Sequence, residues 1–169
     1  MLSKKMEKAL NEQINAELES AYVYLSLAAY YESENLEGFS SWMEAQSQEE
    51  VEHAMKIYRY IQSRGGRVSL AKIDAPKWEW KSPLDGFEAA YQHEKMITGR
   101  IDDLVGLANK EDDYASHEFL MWFVAEQVEE EDSTSRVVER LKLVGEAPSG
   151  LFMIDRELAQ RSSSGRSEE

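Results

Sequence analysis

Cysteine is missing from this chain altogether, which excludes disulfides, iron–sulfur clusters and thiolate metal sites. Proline and glycine are scarce, 3 and 9 residues in 169, and most fall between stretches of regular apolar spacing. So few breakers predict a mainly helical protein. No apolar run approaches the length of a membrane span, and the charged stretch from Met1 to Leu10 lacks the apolar core of a signal peptide. A cytoplasmic protein with no membrane partner is therefore expected. Basic residues are also in deficit: 19 Lys and Arg stand against 33 Asp and Glu, a formal net charge of −14. That balance argues against a nucleic-acid partner and favours solubility and the attraction of cations. The length suits one domain, able to bury roughly 70% of its unfolded surface.

What is present is a set of four apolar stripes at helical periodicity, each interrupted by acid or amide. The first carries Leu10, Ile14, Ala21, Leu25 and Ala28, with Glu17 and Tyr24 on the same line. The second runs Phe39, Trp42, Met43, Gln46, Glu50, His53, Ile57, Tyr60. In the third, Glu94 interrupts Phe87, Tyr91, Ile97, Ile101, Leu104 and Ala108; in the fourth, Gln127 and Glu130 stand among Leu120, Phe123, Thr134, Val137 and Leu141.

Punctuation orders these helices. Asn35 is expected to cap the second, and Gly65-Gly66 to end it through a left-handed C-cap. Ser82-Pro83 offers an N-cap followed by proline at the first helical position. Residues Arg67 to Lys81, with Pro76, Trp78 and Trp80, show no sustained period. A helix of about 28 residues is roughly 42 Å long, and a link of about 17 residues spans up to roughly 55 Å. The link can thus run the length of a bundle and make the second and third helices parallel. Short connections at Asn35 and Asp112-Asp113 make the other neighbours antiparallel. The expected fold is all-α: a four-helix bundle of two antiparallel hairpins joined by one long crossover. A short fifth helix follows, begun by Pro148 and faced by Leu151, Ile154 and Leu158. One domain covers residues 1–161, and the Ser-rich stretch Ser162 to Glu169 reads as a disordered tail.

The polar positions carry the chemistry. An unpaired carboxylate in a low-dielectric interior costs several kcal/mol, and no matching Lys or Arg lies on these faces. Protons could neutralise some of the acids, since like charges sharing a site raise one another's pKa; a pair of metal ions neutralises all of them at once. Glu50 and His53, three residues apart, present an oxygen and an imidazole nitrogen on one face, a spacing suited to two ligands of one ion. Glu17 and Glu94 are isolated and act most simply as terminal ligands. Gln127 and Glu130 repeat the same spacing with an amide in one place, and Glu49, Glu126 and Glu129 crowd the same turns, suggesting an additional acidic position. Carboxylates with one His and no thiolate favour Fe or Mn over structural Zn, although Zn²⁺ outcompetes Fe²⁺ in intrinsic affinity and availability must decide.

Single Glu residues from two helices plus Glu-x-x-His is the ligand rule of ferritin-like di-iron bundles. With the strings NEQINAELESAYVYLS, EAQSQEEVEHAM, YQHEK and FLMWFVAEQVEEE, the chain resembles non-haem ferritins of bacteria and archaea over residues 1–161. The resemblance implies that Glu17, Glu50 and His53 hold the first iron, with Glu50 bridging to a second held by Glu94 and neighboured by Gln127. It places Glu49, Glu126, Glu129 and Glu130 at a third iron position, and Tyr24 and Trp122 as electron donors beside the centre. It further implies a homo-oligomeric shell of 24 subunits that oxidises Fe²⁺ with O₂ or peroxide and stores ferric mineral. Gln127 to Glu130 replaces the second Glu-x-x-His of bacterioferritins, and Val51 stands where they carry a haem-ligating Met, so haem is not expected. The Cys-rich domain of rubrerythrins is excluded, and His117 and Leu120 give no secure match to the acidic iron-access channel of vertebrate shells.

Plainer readings stand beside these. Glu50 with His53 could be a surface pair, Gln127 a hydrogen-bonded core amide, Tyr24 and Trp122 ordinary packing, and Glu49, Glu126 and Glu129 solvated charges. His93, about 100° around the helix from Glu94, is expected at the surface, and His117 has no evident partner. At the level of function, the alternatives are a di-iron oxidase or peroxidase without storage and a metal-free helical scaffold.

Overall fold

The computed structural model describes residues 1–164, with side chains described through residue 160. Five helices follow in order: α1 (Lys4–Ser33), α2 (Glu37–Ser63), α3 (Pro83–Lys110), α4 (Tyr114–Val144) and α5 (Pro148–Ser164). α5 thus continues three residues into the expected tail; residues 165–169, where the rest of that tail falls, lie outside the described residues.

Local chemistry sets most boundaries. The Ser3 hydroxyl accepts from Met6 N at the start of α1, and Ser82 and Asp113 do the same for α3 and α4. Pro83 occupies the first turn of α3, where its missing N–H costs nothing. α2 ends as expected: Gly65 takes φ 72°, its N–H donating to Gln62 O, while Gly66 N–H donates to Ile61 O.

Asn35 departs from expectation. It adopts φ 59° and serves as the left-handed link, which Asn tolerates better than most residues. The N-cap of α2 is Leu36, whose side chain caps nothing. Instead Asp155 of α5 accepts from Gly38 N at 2.8 Å and Phe39 N at 3.1 Å. A Cβ on Gly38 would collide with the Asp155 carbonyl, so glycine is what lets α5 dock there.

α1 packs against α2 and α3, α3 against α4, and α5 across α2 and α4. Leu2 N–H donates to Arg64 O, so α1 and α2 run antiparallel; Thr98 bonds Glu131 and Lys142 pairs with Glu88, so α3 and α4 do too. The link after α2 follows α1 from Asn11, which bonds Arg67 and Ser69, to Ser26, which bonds the Lys77 carbonyl. It carries the chain the length of the bundle, and α3 starts beside α2, with Phe39 and Trp42 against Phe87.

The core divides into two apolar halves. One, rich in aromatics, gathers Tyr31, Phe39, Trp42, Phe87, Leu141 and Ile154; the other, mostly aliphatic, gathers Met6, Leu10, Ile57, Ile101, Leu104 and Leu120. Between them lies a buried polar layer of Glu17, Gln46, Glu50, His53, Glu94, Gln127 and Glu130. Leu25 does not join either half and is 51% exposed. The buried face of α1 is centred on Tyr24 and shifted toward Gln13, Leu27 and Tyr31, and Leu25 lies about 100° away from Tyr24.

Candidate metal centre

Each ligand candidate in the polar layer sits mid-helix, where both flanking turns are packed. Glu17, Glu50, His53 and Glu94 are at most 5% exposed. Glu17, Glu50 and His53 converge so that one ligand atom from each lies within 4.8 Å of the others. His53 Nδ1 lies 3.3 Å from Glu50 Oε2, yet that oxygen accepts no aligned hydrogen bond. Two ligands about 2.1 Å from a shared ion at a near-right angle stand about 3 Å apart, so the spacing suits a common cation. Glu17 Oε2 is likewise buried without a partner, while its Oε1 accepts from Gln13 Nε2 at 2.8 Å.

Glu94 is differently placed. Tyr24 OH donates to its Oε1, and Gln127 Nε2 donates to Oε2 at 3.2 Å. The same amide nitrogen also lies within reach of Glu94 O and Thr98 Oγ1, both at 3.3 Å. Glu130, 3% exposed, accepts from Gln46 Nε2 at 2.7 Å and groups with His53 and half-buried Glu126 as a second possible ligand set. Glu49 is half-buried, and its charge bears on Glu50. Glu129 is exposed and joins neither group.

Among the described residues no Lys or Arg pairs with Glu17, Glu50 or Glu94. Burial, and then the charge of Glu50, pushes the Glu17 carboxyl well above its ordinary value; burial and then Glu94 do the same to Glu50. Glu94 is raised as well, chiefly by burial, against the opposing bonds from Tyr24 and Gln127. Burial and the neighbouring Glu94 charge keep the Tyr24 phenol protonated. Glu17 and Glu50 each keep a buried oxygen that no N–H donor reaches, beside an imidazole and with no Lys or Arg pairing them among the described residues, surroundings that a divalent cation would relieve. The donor set therefore fits iron.

Two aromatics flank the layer. Tyr24 is fully buried; Trp122 is 39% exposed, edge-on to His53 at 5.4 Å, with Lys56 Nζ 3.8 Å over its ring. His93 is not at the surface as expected. It is half-buried, 2.7 Å from Ser20 Oγ and edge-on to Tyr24, because α3 is covered by α1 as well as α4 and faces about 100° apart are both packed. His117 is half-buried outside both ligand groups.

Several supporting residues carry only a faint sequence signal. Gln13 precedes Glu17 by four positions and Thr98 follows Glu94 by four, the spacing that stacks side chains on one helix face. Glu131, which accepts from Thr98 Oγ1 at 2.6 Å, looks like any surface acid in the Glu129 to Asp132 run.

Comparison with known proteins agrees with this geometry. The family described as Ferritin-like domain matches residues 7–144. A bacterial non-heme ferritin of Bacteroides fragilis is 44% identical over 161 residues, 95% of this chain and all of the relative. A probable bacterial non-heme ferritin-like protein of Haemophilus influenzae is 37% identical, covering 96% of this chain and 99% of its own. The open pore ferritin of the hyperthermophilic archaeon Archaeoglobus fulgidus superposes with a TM-score of 0.93 at 52% identity, over 94% of this chain and 98% of that one. By its five-helix fold, its buried carboxylate layer and these full-length likenesses, the chain belongs to the ferritin family, of the non-haem bacterial and archaeal kind.

Proposed function

We propose that this ferritin takes up Fe²⁺ in the polar layer, oxidises it with O₂ or peroxide, and stores the ferric product inside a closed shell of 24 copies in the cytoplasm. The observation that carries this reading is the pair of buried oxygens, Glu17 Oε2 and Glu50 Oε2, that converge beside His53 with no amide, hydroxyl or basic side chain to satisfy them among the described residues.

In this reading Glu17, Glu50 and His53 hold the first Fe²⁺. Glu50 is shared with a second, which Glu94 holds while Gln127 steadies the Glu94 carboxylate. His53, Glu126 and Glu130 lie close enough to receive iron leaving the pair, with Glu49 and exposed Glu129 extending the acidic surface outward. Each Fe²⁺ supplies one electron to the oxidant. The protein's own part is placement, exclusion of water and proton traffic. Carboxyls that burial keeps protonated must lose their protons to coordinate, so uptake of Fe²⁺ releases protons. In this reading Tyr24, which is bonded to Glu94, and Trp122, which lies edge-on to His53, supply further electrons.

Aerobic loading with Fe²⁺ followed by size fractionation with iron detection tests oxidation, retention and assembly together. Iron migrating with a very large particle is the expected result. Oxidation without retained iron, on a small particle, would instead mark a di-iron oxidase without storage, and no accelerated oxidation would overturn the reading.

A further inference from the structure

Arg100 lies on α3 in a shallow cleft between α1 and α3, lined also by Glu12, Asp103 and Leu104, outside the ligand groups. Its Nε donates to Gln13 Oε1 at 3.1 Å, and its Nη2 donates to the Glu12 carbonyl at 3.1 Å. Gln13 is only 1% exposed, and its Nε2 donates to Glu17 Oε1 at 2.8 Å. We propose that Arg100 is a positioning residue for Glu17, acting through the Gln13 amide; the proposal rests on Glu17 being an iron ligand.

Chemistry fixes the direction of this chain of contacts. A guanidinium has donors only, so the amide oxygen must face Arg100 and the NH₂ must point inward. Glu17 Oε1 is thereby tied back, and Oε2, the oxygen without a partner, is left toward Glu50 and His53. Without Arg100, the Gln13 side chain loses the contact that anchors its oxygen outward, and only the bond to Glu17 Oε1 still orients the amide. Glu17 Oε1 would then be tied back less firmly. Outer partners that orient a ligand typically contribute about 10–100-fold in metal affinity.

A simple charge role predicts the opposite sign. Removing a cation near a cation site should strengthen metal binding, whereas losing a positioning contact should weaken it. Arg100→Met keeps the apolar stem in the cleft while removing the charge and the donors. The expected outcome is an anaerobic Fe²⁺ affinity at the first position lowered about tenfold, with the metal-free unfolding temperature little changed. Gln13→Leu should weaken Fe²⁺ at least as much, and in that background Arg100→Met should add no further loss. Equal or tighter Fe²⁺ binding by Arg100→Met would overturn the proposal, as would a full additional loss in the Gln13→Leu background or an unchanged affinity for Gln13→Leu itself. If Glu17→Ala leaves the first Fe²⁺ affinity unchanged, the ligand assignment beneath the proposal fails instead, and the two failures are told apart by that variant.

Discussion

Glu94 and Glu17 occupy the same buried layer, one on α3 and the other on α1, yet their surroundings differ in kind. Both Glu94 oxygens are held by neutral donors, Tyr24 OH and the Gln127 amide. On the other side, Glu17 and Glu50 each keep one oxygen that no amide, hydroxyl or guanidinium donor reaches among the described residues. An ion arriving at Glu94 must compete with protein hydrogen bonds, whereas an ion arriving between Glu17, Glu50 and His53 fills a gap. The first side should therefore bind Fe²⁺ first and more tightly, and the second should act as a tethered, adjustable partner.

The largest effect should come from the gap itself. Glu50→Ala or His53→Ala should slow the initial rate of Fe²⁺ oxidation by about 100-fold or more, since losing mere outer partners already costs up to about that much. Stopped-flow absorbance measures it, and a rate like that of wild type would remove these residues from the centre.

Stability of the metal-free protein separates the two sides more sharply. Glu17→Leu takes away a buried carboxyl with an unpartnered oxygen but leaves Gln13 Nε2 without its acceptor; the two effects oppose each other, so stability should change little while oxidation is impaired. Glu94→Leu removes a carboxyl whose two oxygens are both bonded and strands the Tyr24 hydroxyl, while Gln127 Nε2 keeps Glu94 O and Thr98 Oγ1 within reach; it should cost about 1–3 kcal/mol for the buried donor left unsatisfied. Denaturant unfolding of the two variants checks the difference; the same sign and size for both would erase the contrast.

Acidity offers a third contrast. Folding raises the carboxyls of Glu17, Glu50 and Glu94 above their ordinary value of 4.5. Acids raised in this way favour the folded state while protonated, below the unfolded value, and that advantage disappears as pH climbs through the folded values. Between about 4.5 and neutrality this layer should therefore subtract stability from the metal-free protein as pH rises. Fe²⁺, which replaces the protons, should cancel the loss under anaerobic conditions. Unfolding midpoints across that range, with and without Fe²⁺, report the effect, and Glu17→Gln should flatten part of the metal-free slope.

The smallest expected effect lies outside the layer and serves as its control. Asp155→Ala removes the acceptor that α5 supplies to the start of α2 and should lower stability by about 1 kcal/mol, as loss of a helix cap does. The initial oxidation rate should stay near wild type. A strong loss of rate would mean that the layer depends on α5 docking.

What the sequence made legible follows from periodicity. Glu17, Glu50, His53, Glu94, Gln127 and Glu130 each interrupt an apolar stripe, and each is buried. The crossover was readable because a link after Gly65-Gly66 was long enough to span the bundle. Less readable was anything decided by which faces meet. Asn35 looks like a cap, but the cap of α2 comes from Asp155, 117 positions away from Gly38. His93 looks exposed on a single helix and is half-covered once α1 lies over it. The donors that distinguish Glu94 from Glu17 come from other helices in one case and from the preceding turn in the other. Helix periodicity locates the acids; only their packing tells which oxygen is left open.

Anomalous scattering at the iron edge, from crystals loaded with Fe²⁺ in the absence of oxygen, addresses that open position most directly. At low loading, iron is expected first between Glu17 Oε2, Glu50 Oε2 and His53, with Glu94 still bonded to Tyr24 and Gln127. Iron confined to exposed carboxylates such as Glu129, with the buried layer empty and unmoved, would contradict the proposal that this layer is where Fe²⁺ binds.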